Sequence, residues 1–341
     1  MEILNKFLII QTAFIGDCIL TLPFIQELNK NNPGSVIDVV CTPAAEEIFV
    51  SSPYISSVIV YDKRKSGKSV KAAMKFGGGL KQGNYSRVYT LHKSMRSAII
   101  TYYTGVEETY GFSNSAFPAV FRHIINYDHT VHEVKRLLSF TRSNYNGDSW
   151  KIMPEIKVPD DGVKRVEDFI QSAGRFAVIA PSSVWETKRY PEERFREIAG
   201  YLVSLGLKVI LTGGKGDREL CELVKAGNEE VLNAAGVFSL TESVYLISRS
   251  EILITNDSAP THMAMAAGAP VITIYCSTVP EFGFAGYSDK SRSIGVKDLR
   301  CRPCGIHGYK ECPAGHFRCG HDLDAGDVIK LAEEILNAEK K

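Results

Sequence analysis

The chain has 341 residues, 44% of them hydrophobic and 23% charged, an ordinary make-up for a soluble globular protein and a length that favours two domains over one. With 40 basic against 39 acidic side chains the net charge is +1, so no overall field draws a nucleic acid. Nothing reaches the length of a membrane span: Gln11, Thr12, Gly16 and Asp17 interrupt the apolar opening "KFLIIQTAFIGDCILTLPF", and no secretory cleavage pattern is present, which points to the cytoplasm.

In chain order, residues 7–12, 37–42, 57–62 and 87–92 are apolar, β-rich runs that read as strands. A helix with Ile19, Leu22, Ile25 and Leu28 along one face separates the first two. Residues 141–165 are polar and turn-rich and mark a boundary. Beyond it, 176–181, 208–214, 251–257 and 271–276 repeat the strand pattern, with helices over 191–206 and 241–250. The tail "DLDAGDVIKLAEEILNAEKK" is an amphipathic helix with Val328, Leu331 and Leu336 on its inner side. Strands apolar throughout and separated by helices predict an α/β fold of two doubly wound domains, 1–155 and 156–322, facing across a cleft, followed by the helical tail 323–341.

Open parallel sheets bind ligands beyond the carboxyl ends of their strands, so position selects candidates before residue type does. At the first strand end, Gly16 and Asp17 lead into a helix. A G-x-G-x-x-G fingerprint is absent, and a carboxylate there would repel a diphosphate, so no nicotinamide cofactor is expected. Asp17 can take a proton from a hydroxyl, or simply stabilise its own helix as a first-turn acid; the residues alone leave both readings open. In "APSSVWETKRYPEERF", the hydroxyls of Ser182 and Ser183 and the ammonium of Lys188 can neutralise a leaving phosphate, or can form an ordinary exposed loop.

In "TNDSAPTHMAMAAGAPV", Asp257 ends a strand, and Ser258, Ala259, Pro260, Thr261 and His262 open a helix whose unpaired N–H groups suit a phosphate. The "TGGKGDRE" loop with Gly214 ends a neighbouring strand. His92, Lys93 and Arg96 follow a strand end in the first domain and offer an anion site. "KSGKS" at 65–69 is no P-loop, because Asp62 stands where its first glycine belongs; Lys68, Lys71 and Lys75 there share one helical face.

Together, "LIIQTAFIGDCILTLPFI", "TNDSAPTHMAMAAGAPV" and "STVPEFGFAGYSDKS" followed by "LRCRPCGIHGYKECPAGHFRCG" make the chain resemble the ADP-heptose:lipopolysaccharide heptosyltransferases of glycosyltransferase family 9, over nearly its whole length. The resemblance implies a GT-B fold of two Rossmann-like domains, acceptor-binding then donor-binding, with the last helix crossing back to the N-terminal domain. It implies an inverting enzyme that moves heptose from ADP-L-glycero-β-D-manno-heptose to the lipopolysaccharide inner core, at the cytoplasmic face of the inner membrane. Asp17 becomes the general base. Lys188, Ser182 and Ser183 hold the diphosphate, Asp257 binds sugar hydroxyls, and Ser258 to His262 wrap the phosphates. His92, Lys93 and Arg96 face the acidic acceptor.

The alternatives are a family-9 relative using another nucleotide sugar, a GT-B sugar-nucleotide epimerase and a non-catalytic binding module. No metal cofactor is implied, because no Asp-x-Asp motif stands at a strand end. Basic residues 63–82 suggest peripheral membrane contact. Cys301, Cys304, Cys312 and Cys319 are spaced C-x2-C-x7-C-x6-C, which leaves three readings open: structural zinc, packed reduced thiols or a disulfide.

Overall fold

Phe7 to Ile10 are wholly buried, because the strand they form, β1 (Lys6–Ile10), is paired in parallel on both edges, with β2 (Val36–Cys41) and β4 (Arg87–Thr90). In the computed structural model, which describes residues 5–62 and 69–338, the chain divides into two units, 1–157 and 158–341. The first unit adds α1 (Ile15–Asn31), α2 (Glu46–Val50), β3 (Ser57–Val60), α3 (Val70–Gly79), α4 (Met95–Thr104), β5 (Thr109–Phe112), β6 (His123–Ile125) and α5 (Glu133–Leu138). Its sheet runs β3-β2-β1-β4-β5-β6, all parallel.

The second unit comprises α6 (Asp160–Ile170), β7 (Phe176–Ala180), α7 (Glu192–Ser204), β8 (Lys208–Leu211), α8 (Arg218–Lys225), β9 (Val231–Asn233), α9 (Leu240–Ser248), β10 (Leu253–Asn256), α10 (Ala259–Ala267), β11 (Val271–Ile274), β12 (Ser291–Ile294), α11 (Arg318–His321) and α12 (Ala325–Ala338). The sheet order is β12-β11-β10-β7-β8-β9, again all parallel. Within each unit the first strand therefore lies beside the fourth. The direction of winding reverses between that pair, and such a switch point opens a crevice at the carboxyl edge of the sheet.

The eight strands legible in the sequence are present, each ending one to three residues sooner than its apolar run. Thr12, His92 and Asp257 therefore stand just past the strand ends, at the carboxyl edge. β5, β6, β9 and β12 are additions, three or four residues long, and β6, β9 and β12 lie at sheet edges. α1 is buried almost all round, including Ile19, Leu22, Ile25 and Leu28, so its amphipathic signal is weak.

α3 and α4 pack closely at Gly77, where an added Cβ would lie 2.5 Å from the Ile100 carbonyl oxygen. Lys71 and Lys75 project from α3 into solvent, while Lys68 lies outside the described residues. The apolar side of α12 closes the core of the second unit: Val328, Ala332, Ile335 and Leu336 join Phe195, Ile198 and Leu202 of α7, and Tyr201 donates a hydrogen bond to Glu333. Burial of that apolar stripe decides where the helix lies.

Candidate active site

Both switch points carry the residues that position had selected. In the first unit, Asp17 sits in the first turn of α1, after β1, and Lys93 lies between β4 and α4. The Asp17 carboxylate accepts hydrogen bonds from the backbone N–H groups of Phe14 and of Asp17 itself, as a first-turn acid should. Burial nevertheless raises its pKa from 3.8 to about 6, the negative charge of Glu133 adds to the rise, and the Lys93 ammonium works against it. A carboxyl so tuned is what a general base working near neutral pH requires.

Lys93 is held in turn. Its Nζ lies 3.9 Å from the centroid of the Tyr127 ring, and its backbone carbonyl accepts from Ala116. The Tyr127 hydroxyl donates to Glu133 Oε2 at 2.9 Å, and Arg136 Nη1 donates to the same oxygen at 2.9 Å and to the hydroxyl at 3.0 Å. Neither Glu133 nor Arg136 was singled out in the sequence. Their i,i+3 spacing in "EVKR" is a common surface pattern, and only the fold shows that this pair is buried. His92 belongs to the same edge: its Nδ1 pairs with Thr12 Oγ1 at 2.7 Å. Arg96 is partly exposed in the first turn of α4.

In the second unit, Lys188 reaches from the loop after β7 to the end of β10. Its Nζ forms an ion pair with Asp257 Oδ2 at 2.6 Å and donates to the Asp257 backbone carbonyl at 3.3 Å. Thr278 donates to the same Oδ2 at 2.7 Å. Asn256, wholly buried, staples the loop at both ends. Its Nδ2 donates to the Pro181 carbonyl at 2.7 Å, and its Oδ1 accepts from the Tyr190 N–H at 2.9 Å. Ser182 and Ser183 lie within this stapled loop, where Ser183 Oγ accepts from the Trp185 N–H at 3.4 Å.

α10 opens beside the pair, with Ser258 as its N-cap and Pro260 in its first turn; no side chain caps it. Its first N–H groups are thus suited to an anion. The Thr261 hydroxyl and the His262 ring are buried, and Thr261 pairs with Thr273 on β11 at 3.0 Å, so any contact from these two falls to the backbone. Gly214 N–H is taken by Asp217 Oδ2 at 2.7 Å, which makes Asp217 a brace of its own loop.

The cysteine segment has a place that its spacing could not show. Thr187 Oγ1 donates to Ser277 Oγ at 3.0 Å and accepts from the Tyr309 N–H at 2.8 Å, while the Cys304 N–H donates to the Ser277 carbonyl at 3.0 Å. The segment is thereby docked on the turn that carries Lys188. All eight cysteines are free thiols, and among the described residues no group of three or more His, Cys, Asp or Glu side chains is arranged to hold a metal ion. Burial pushes the Cys319 thiol up to about 11. Around Cys312 burial acts in the same direction, but the N–H groups of Phe317, Ala314, His316 and Gly315 outweigh it and bring that thiol below its usual value. Among the described residues no helix is long and apolar enough to cross a membrane.

Comparison with known proteins identifies the fold and the family. The family profile described as Glycosyltransferase family 9 (heptosyltransferase) matches residues 73–313. A lipopolysaccharide heptosyltransferase 2 of Salmonella typhimurium is 24% identical over 355 aligned residues, covering 97% of each chain. A solved glycosyl transferase family 9 protein from Veillonella parvula superposes with a TM-score of 0.86 at 23% identity, over 99% of both chains. The E. coli ADP-heptose lipopolysaccharide heptosyltransferase II gives 0.80 at 20% identity, over 98% of this chain and 100% of that one. These structural likenesses carry the GT-B type of fold, and the profile carries the family. Two Rossmann-ordered sheets, each with polar and charged groups at its switch point, and a profile match over more than half the sequence lead to one conclusion: the chain belongs to glycosyltransferase family 9, the heptosyltransferases, and is a glycosyltransferase enzyme.

Proposed function

We propose that the protein transfers heptose from ADP-L-glycero-β-D-manno-heptose to the inner core of lipopolysaccharide, with inversion at the anomeric carbon. The observation that carries this reading is geometric: the Lys188–Asp257 ion pair at 2.6 Å stands beside the uncapped start of α10, and Asp17 stands in the first turn of α1 at the other switch point. The acceptor hydroxyl oxygen attacks the anomeric carbon, the bond from that carbon to the diphosphate oxygen breaks, and Asp17 takes the hydroxyl proton. For that step Asp17 must come within about 3 Å of the hydroxyl. Lys188 and the N–H groups opening α10 hold the departing ADP, with Ser182 and Ser183 in the same loop, while Asp257 receives sugar hydroxyls.

On this reading the positive charge at Lys188 and at the helix start does what a divalent metal does in other transferases, and transfer proceeds in a chelator. His92, Lys93 and Arg96 line the side that takes the acidic acceptor. The enzyme works in the cytoplasm at the inner face of the inner membrane, where Lys71 and Lys75 on the exposed side of α3 meet anionic headgroups. Neutralising those two lysines should weaken binding to anionic vesicles.

The deciding test is ADP release from ADP-heptose, with and without heptose-deficient lipopolysaccharide, for the native protein and Asp17→Asn. Release that needs the acceptor and collapses in the variant supports the proposal. Release from another nucleotide sugar alone would move the substrate within the family. Release that Asp17→Asn leaves intact would remove Asp17 from the role of base.

A further inference from the structure

Thr278 is wholly buried just past the end of β11, and its hydroxyl donates to Asp257 Oδ2 at 2.7 Å, the oxygen that also faces Lys188. The reaction as derived gives this threonine nothing to do, nor the C-R-P-C turn, 301–304, that lies against it. Yet the turn holds the threonine by its main chain. Arg302 Nε donates to the Thr278 carbonyl at 2.9 Å, and Nη1 of the same guanidinium donates to the Val296 carbonyl. One residue earlier, the Ser277 carbonyl accepts from the Cys304 N–H at 3.0 Å, and the Ser277 hydroxyl accepts from Thr187 at 3.0 Å. Asp257 is tied to the same strand, since its N–H donates to the Ile274 carbonyl of β11 at 3.0 Å. Residues 277 and 278 are thus anchored by bonds none of which needs the Lys188 ammonium.

We infer that Thr278, held by Arg302, is a positioning residue for Asp257: it keeps Oδ2 turned toward the end of β11, so that Oδ1 is presented to a hydroxyl of the donor's sugar. A diphosphate arriving at the start of α10 draws the Lys188 ammonium toward itself, and the Asp257 carboxylate then loses much of its cation. With only 11% of its side chain exposed, that carboxylate needs a second donor on the oxygen Lys188 leaves, or it turns in search of one. The Thr278 hydroxyl is that donor, and it stays in place because the turn behind it is fixed separately. The C-x2-C turn thereby becomes a brace of the sugar subsite, acting through the Arg302 side chain and the Cys304 N–H.

The inference rests on Asp257 receiving sugar hydroxyls, and its test compares a ligand that carries the sugar with one that lacks it. Affinities for ADP-heptose and for ADP are measured calorimetrically, without acceptor, in the native protein and in Asp257→Ala, Thr278→Val, Thr278→Ser and Arg302→Met. Thr278→Val keeps the shape and deletes the hydroxyl. ADP-heptose should then bind roughly tenfold more weakly while ADP stays within about threefold, because Lys188 and α10 are untouched. Thr278→Ser keeps the hydroxyl and should keep the native ratio of the two affinities. Arg302→Met loosens the turn from outside and should move the ratio in the same direction as Thr278→Val, which carries the test if the latter does not fold. A general disturbance of the site would weaken both ligands alike, and equal weakening in Thr278→Val would overturn the inference. So would a native ratio in the folded Thr278 and Arg302 variants while Asp257→Ala shifts it, an outcome that leaves Asp257 as the sugar ligand. A ratio that survives Asp257→Ala would remove Asp257 from that role and the inference with it.

Discussion

Lys188 Nζ, from the loop after β7, and Asp257 Oδ2, at the end of β10, lie 2.6 Å apart, and Thr278 shares the same carboxylate oxygen at 2.7 Å. Only 14% and 11% of the two side chains are exposed. At that depth an ion pair is neutral to stability as a unit, but removing one partner strands the other in a poorly solvated place. A pair that adds little to stability as a unit is better explained by its place at the carboxyl edge of the sheet, where ligands bind.

Lys188→Met should therefore destabilise the second unit by roughly 2–4 kcal/mol and reduce transfer by on the order of 100-fold or more. Adding Asp257→Leu should restore much of the stability and none of the activity. Denaturant unfolding and ADP release on the single and double variants check both statements. Full stability in the single variant would mean the pair is not structurally coupled.

Asn256 is the staple of the loop that presents Lys188. Asn256→Ala leaves a buried carbonyl at Pro181 and a buried N–H at Tyr190 without partners, and should cost about 2–3 kcal/mol. Asn256→Asp keeps an acceptor for Tyr190 but sets an oxygen against the Pro181 carbonyl, so it should not rescue. Affinity for ADP, measured calorimetrically, should weaken in both.

Gly308 has φ +82° and sits where an added Cβ would meet Thr187 Oγ1 at 3.0 Å and both Lys188 Cγ and Ser277 Oγ at 3.2 Å. Gly308→Ala combines a left-handed backbone with a crowded side, at roughly 1–3 kcal/mol. Because the crowding falls on the turn that bears Lys188, donor binding should suffer beyond the loss of stability. A control with comparable destabilisation elsewhere in the second unit separates the two effects.

The Asp17 carboxyl binds its proton more tightly in the native protein than in the unfolded chain, with a pKa of about 6 against 3.8. The native state therefore loses stability as pH rises through that window, and the loss is complete above it. Asp17→Asn removes the effect. The variant should gain on the order of 2–3 kcal/mol over the native protein at pH 7.5, and only a few tenths at pH 3.5, where the Asp17 carboxyl is mostly protonated in the native and unfolded states alike. The same ionisation should appear as an acid limb near pH 6 in kcat/KM of the native enzyme. Unfolding curves at the two pH values and a rate profile check these outcomes.

Most of the architecture was legible because a strand covered by helices on both faces must be apolar throughout, and eight such runs stand out. The strands that escaped carry little of that signal. β6 is "HII" and β12 is "SRSI", edge strands whose outer sides need no apolar cover. Asp17, Lys188 and Asp257 were legible for another reason: in a parallel sheet the end of a strand is also the edge where ligands bind. The staple at Asn256 stood next to Asp257 in the sequence, but its partners lie 66 and 75 residues away.

Local periodicity and chain direction are enough to place two α/β domains, the strand ends at which ligands bind, and the residue types found there. The tertiary structure decided the strand order that places β1 beside β4 and β7 beside β10, and with it which strand ends share a crevice. It also decided that Glu133 lies near Asp17, that Lys93 lies on Tyr127 and that the cysteine segment docks on the turn bearing Lys188. Those relationships join residues from about 30 to more than 120 positions apart. Their energies depend on distance and burial, which no local pattern in a chain encodes.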